Sequence, residues 1–151
     1  MAEMKFKFTI QPYQTEAVDS VVGVFAGQPF NDHFTYRRDV EIRRDITNWM
    51  LSDEELYMGF ANAKVQLDYG QLLDNIHRIQ ARNNIKLSDS LKSGGLGVCS
   101  LDVEMETGTG KTYVYIKTMF ELNKLYGWSK FIVVVPSIAI REGVQKSFET
   151  M

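Results

Sequence analysis

The spacing of apolar residues changes along the chain, and each change predicts an element. "KFKFTI", Lys5 to Ile10, alternates and predicts a short strand. "PYQTEAVDSVVGVFAGQP" then places Ala17, Val18, Val21, Val22 and Phe25 on one helical face. Pro12 suits the first turn of that helix, and Gly27 followed by Pro29 suits its end. The middle of the chain is less regular. "TYRRDVEIRRDITNWM" mixes both charge signs with Val40, Ile42 and Ile46, and "SDEELYMGF" opens with a capping-box pattern, Ser52 to Glu55. "DYGQLLDNIHRIQARNN" predicts an amphipathic helix with Leu72, Leu73, Ile76 and Ile79 on one side, and "SDSLKSGGLG" predicts a loop.

From residue 100 the pattern becomes a repeat of types. "LDVEM" predicts a buried strand, "TGTG" a turn and "KTYVYIKTMFELNKLYG" a helix ended by Gly127. "KFIVVVP" predicts a second buried strand, and "SIAIREGVQKSFE" a helix with Ile140, Val144 and Phe148 in register. This order is a βαβα unit with a right-handed crossover. The expected fold class is α/β: a parallel sheet flanked by helices, and incomplete within this chain.

Composition narrows the function classes. The chain has 151 residues, 44% of them hydrophobic and 24% charged, which fits a soluble globular domain with a core. Its net charge of −2 and pI near 5.7 give no general attraction to nucleic acid or acidic membranes, so any DNA contact must be local. One cysteine, Cys99, excludes an internal disulfide. No secretory signal or membrane-spanning apolar run is present, and the expected location is the cytoplasm, with no membrane partner.

"METGTGKT" carries the candidate chemistry. A triphosphate needs several N–H donors close together and a fixed cation. Glycines let the backbone curl round the phosphates, and the following helix aims its N-terminal N–H groups and dipole at the anion. Thr107, Gly108, Thr109 and Gly110 are placed to form that cradle. Lys111 would reach the β- and γ-phosphates, and the Thr112 hydroxyl would hold Mg²⁺. ATP and Mg²⁺ are thus the expected cofactors. The strict pattern G-x-x-x-x-G-K-[ST] asks for glycine at 105, where this chain has Met105.

Two further segments resemble motifs of superfamily 2 ATPases, which commonly lack that first glycine. "YQTEA" resembles the segment whose glutamine bonds adenine, which would make Gln14 the base contact with Tyr13 packed on the ring. "VVVPSIAIREGV" resembles the segment that touches a DNA backbone, which points to Ser137 and Arg141. The competing readings are a solvated glutamine, a helix N-cap serine and a solvated arginine.

Together "YQTEAV", "LDVEMETGTGKTYVYIKT", "ELNKLYGWSKFIVVVPS" and "AIREGV" resemble the N-terminal part of the Res subunit of type III restriction enzymes. That resemblance implies a RecA-like motor core that uses ATP to move on double-stranded DNA, a nuclease domain further on, and a partner modification (methyltransferase) subunit. It also implies that residues 1–151 are the front part of a helicase-like ATP-binding domain, with 30–98 a largely helical insertion. The arginines of "RRDVEIRRD" alternate with Asp39, Glu41 and Asp45, so a salt-bridged, solvated face is the better reading there.

Other parts of such a motor are not found. Asp53-Glu54 lies before the glycine loop rather than after it, and no nuclease carboxylate pair follows. His33 and His77 are isolated and read as surface or packing residues. The expected behaviour of the isolated chain is weak nucleotide binding, without unwinding or cutting of DNA. Another superfamily 2 helicase, a standalone nucleotide-binding module and a small-molecule kinase remain as alternatives.

Overall fold

The structure, a computed structural model, describes residues 9–30, 62–93 and 97–150. These form four helices: α1 (Pro12–Gly23), α2 (Tyr69–Arg82), α3 (Lys111–Tyr126) and α4 (Ile138–Thr150). Each begins where its sequence supplies a cap. Gln11 precedes α1, with Pro12 at the first helical position, and the Gln11 amide N–H donates to Gln14 Oε1 at 3.0 Å. Asp68 and Gln71 form a reciprocal capping box on α2: Gln71 N–H donates to Asp68 Oδ1 at 2.8 Å, and Asp68 N–H to Gln71 Oε1 at 3.0 Å. Ser137 Oγ accepts from Ile140 N–H at the start of α4. Gly127, at φ +76°, closes α3 by donating to the Asn123 carbonyl at 2.8 Å.

α1 lies chiefly against α3 and more lightly against α2. Val18 and Val22 of α1 meet Val114, Leu122 and Tyr126 of α3, together with Trp128 just beyond it. Phe25 seals one end of this core, edge-on to Trp128 with ring centres 4.9 Å apart and 84° between the planes. Ala63 and Val65 pack against the same cluster from an extended segment, while the intervening Lys64 is exposed. The buried Gln28 holds that segment in place. Its Nε2 donates to the Lys64 carbonyl at 3.3 Å, and its Oε1 accepts from Gln66 N–H at 2.8 Å. One side-chain amide thus does locally what a neighbouring strand would do.

The expected parallel sheet is corrected by this architecture. Among the described residues there is no strand, so neither a RecA-like sheet nor a βαβ crossover is formed. "LDVEM" and "FIVVV" are both extended or irregular backbone. The apolar run of the second predicts burial on two faces, but Ile132 and Val134 are 92% and 87% exposed. Apolar content gives a segment a reason to be covered. A strand also needs a partner backbone along its edge, and no pairing of that kind is present among the described residues.

The helical predictions fare better. α1, α2, α3 and α4 all fall where the 3.6-residue period placed them, although α1 ends at Gly23 and continues as tight turns to Gly27, at φ +95°. The strand predicted at Lys5 to Ile10 lies mostly outside the described residues, and its last two positions, Thr9 and Ile10, are exposed and not in a strand. "TYRRDVEIRRDITNWM", "SDEELYMGF", His33 and Asp53-Glu54 also lie outside the described residues.

Candidate functional site

The segment Glu106 to Thr112 turns sharply and then enters α3. Gly108 and Gly110 adopt φ values of +84° and +87°, the left-handed region that a side chain disfavours. The Thr109 hydroxyl donates to the Glu106 carbonyl at 2.6 Å and closes the turn. Gly110 is the N-cap of α3, and the first intrahelical bond runs from Val114 N–H to the Gly110 carbonyl. Lys111 is the first helical residue and is exposed, with Thr112 half-buried beside it. The early N–H groups of a helix have no acceptor within the helix, so this end of α3 presents donors and a positive dipole end next to a lysine. That arrangement favours an anion.

Gln14 reaches the same loop from 95 positions away in sequence. It is 4% exposed, and its Nε2 donates to the Thr109 carbonyl at 2.9 Å while its Oε1 caps Gln11. A Cβ on Gly110 would lie 2.5 Å from Gln14 Nε2, so a side chain there would push the Gln14 amide aside, in addition to the cost of its left-handed φ. Of the candidate residues, the fold therefore brings Gln14, Thr109, Gly110, Lys111 and Thr112 together. Tyr13 is close to half exposed and, with Thr109, lines a cleft of about 750 Å³ between α1, α2 and residues 100–106.

Ser137 and Arg141 are placed differently. Ser137 caps α4, and Arg141 is exposed in its first turn. Among the described residues no hydrogen bond or ion pair joins either to the glycine loop.

His77 is a packing residue: its Nε2 lies 2.7 Å from the Ser88 carbonyl, beside paired bonds between Gln80 and Ser88. No group of three or more possible metal ligands occurs among the described residues. Burial pushes the Cys99 thiol above its ordinary pKa, which keeps it protonated and weakly nucleophilic.

Several structural residues escaped the sequence reading. Asn75, buried inside the amphipathic helix α2, donates through Nδ2 to the carbonyls of Val24 (2.9 Å) and Ala26 (3.0 Å). Asn62 binds both amide and carbonyl groups of the stretch after α3, including Lys130 O at 2.7 Å. The signal for Asn75 was available as a polar residue at a core position of a helix, between Leu72 and Ile79. No periodic signal marks Asn62.

A glycine-loop site of this kind defines only a broad class of anion-binding proteins. Comparison with known proteins is narrower: the family model for the type III restriction enzyme, res subunit, matches residues 76–151, and the chain belongs to that family. It is 36% identical over 139 residues to the Res subunit of the type III restriction-modification enzyme EcoP15I from Escherichia coli, covering 90% of this chain and 12% of that protein. The EcoPI Res subunit of Escherichia phage P1 is 34% identical over 132 residues, 87% of this chain and 11% of the relative. The StyLTI Res subunit of Salmonella typhimurium is 46% identical over 70 residues, 46% of this chain and 7% of the relative. The chain thus spans about one-eighth of the length of the first two relatives.

Proposed function

We propose that this chain is an ATP-binding part of an ATP-dependent DNA translocase and endonuclease of the type III restriction kind. The observation that carries the proposal is the "TGTGKT" turn at the start of α3, in a chain of the Res family. In this reading Thr107, Gly108, Thr109 and Gly110 cradle the phosphates. Lys111 neutralises their charge, and the Thr112 hydroxyl holds Mg²⁺. Gln14 contacts adenine. Its amide has one N–H and one carbonyl lone pair beyond those engaged with Thr109 and Gln11, and this is the donor–acceptor pair an adenine edge requires.

Ser137 and Arg141 would meet the DNA backbone from the start of α4. Double-stranded DNA and a modification subunit of the same system are the partners of the whole protein, working in the cytoplasm. Among the described residues no helix is long and apolar enough to cross a membrane.

Titration with a fluorescent ATP analogue in Mg²⁺ tests this reading. Lys111→Ala is expected to weaken binding by about tenfold or more, and Thr112→Ala to weaken it only when Mg²⁺ is present. Equal binding by wild type and Lys111→Ala would remove the phosphate role.

A further inference from the structure

We infer that Met105 is the positioning residue of the glycine loop: its side chain, packed on the core, fixes the loop's entry arm where the strict phosphate-loop pattern has a glycine. The inference rests on the nucleotide-binding reading above.

From residue 102 to residue 108 every residue is exposed except Met105. Met105 packs against the cluster that joins α1 to α3, and it also lines the cleft beside Thr109. Backbone bonding does not hold this arm. Ser100 N–H donates to the Lys92 carbonyl at 2.7 Å, the next bonds are those at the Glu106 carbonyl, and among the described residues none lies between. The far side of the loop is fixed otherwise, by the Gln14 amide on the Thr109 carbonyl and by the start of α3. The loop is therefore suspended between a polar tie at Thr109 and an apolar anchor at Met105. A long unbranched thioether suits such an anchor, because its flexibility lets it conform to the apolar surface it packs on.

A glycine at 105 would match the strict motif better and would remove the anchor. With Gly108 and Gly110 already free of side-chain restraint, the entry arm would then sample many conformations. Apparent affinity falls in proportion to the fraction of loops in the binding-competent shape. Restoring the motif at this position thus weakens nucleotide binding.

The test compares wild type, Met105→Gly, Met105→Leu and Lys111→Ala in the full-length protein. Binding of Mg²⁺ with a methylanthraniloyl ATP is measured alongside thermal melting and amide exchange of residues 106–110. Met105→Gly is expected to weaken binding by about tenfold or more and to speed exchange in the loop, with Met105→Leu within about twofold of wild type. Met105→Gly within about twofold of wild type, with a cooperative melt, would overturn the inference. So would a Met105→Leu protein that falls as far as Met105→Gly, since bulk apolar contact would then not be the cause. If Met105→Gly gives no cooperative melt, Met105→Ala is judged by the same threshold. If wild type and Lys111→Ala both fail to bind, the nucleotide reading fails by itself. Loop exchange then decides the anchor separately: unchanged rates in Met105→Gly reject it.

Discussion

Ile116 in α3 is 1% exposed, and Ile132, the same residue type in the apolar run after α3, is 92% exposed. Both stretches read as core in the sequence. The first is wrapped: α3 carries Val114, Leu122 and Tyr126 against α1, and its ends are closed by Gly110 and Gly127. The second has apolar side chains on display, followed by a helix whose Ile138, Ile140 and Phe148 are exposed as well. The difference lies in how each element satisfies its backbone. A helix closes its own hydrogen bonds and needs only one covered face, whereas an extended segment needs a partner for both.

The largest expected effect breaks this comparison directly. Ile116→Ala should cost about 2–5 kcal/mol, because it opens a cavity in a filled site. Ile132→Ala removes a side chain that already sits in water and should change stability by no more than about 0.5 kcal/mol. Urea melts of the two variants measure the contrast. Equal costs would mean that residues 131–134 are covered in solution.

The next effect sharpens the account of what ties the first region together. Gln14→Ala leaves the Thr109 carbonyl and the Gln11 N–H without their partner, at the junction of α1 and the glycine loop. A cost of about 1–3 kcal/mol is expected, the usual range for orphaning partly buried polar groups. The loop should loosen at the same time, so amide exchange at Thr109 and Gly110 should accelerate more than at Val114. A uniform change across all three would instead place Gln14 in the general stability of α1.

How much of this was legible follows from the same distinction. The helices were readable because a 3.6-residue period and caps such as Asp68–Gln71 are local signals. The glycine loop was readable because left-handed backbone at 108 and 110 favours glycine. The parallel sheet was expected from apolar runs, from their alternation with helices and from the family resemblance, and none of these tells whether a partner backbone lies alongside a given run. The ties made by Gln14, Gln28, Asn62 and Asn75 were not readable as contacts, since each joins segments far apart in sequence through a single amide. Met105 appeared only as a departure from a pattern, and its packing on the core gives that departure a physical reason.

A smaller effect within the wrapped region at neutral pH concerns Tyr126, which bridges its two helices. Its hydroxyl donates to the Val22 carbonyl at 3.2 Å. Tyr126→Phe should cost only about 0.5–1 kcal/mol, because that carbonyl also accepts from Phe25 N–H and is not orphaned. Raising the pH should remove the difference between the two proteins. Burial lifts the folded-state pKa of Tyr126 above its ordinary value. The unfolded chain therefore loses this proton first, from about pH 10 upward. The stability that the neutral phenol contributes is whole below that point and is lost as pH rises through the folded-state pKa. Wild type should thus melt above Tyr126→Phe at pH 7, and the gap should close in alkali. A gap between the two melting curves that stays constant into alkali would mean that the Tyr126 hydroxyl already meets water, and that the contact between α1 and α3 is open at that end.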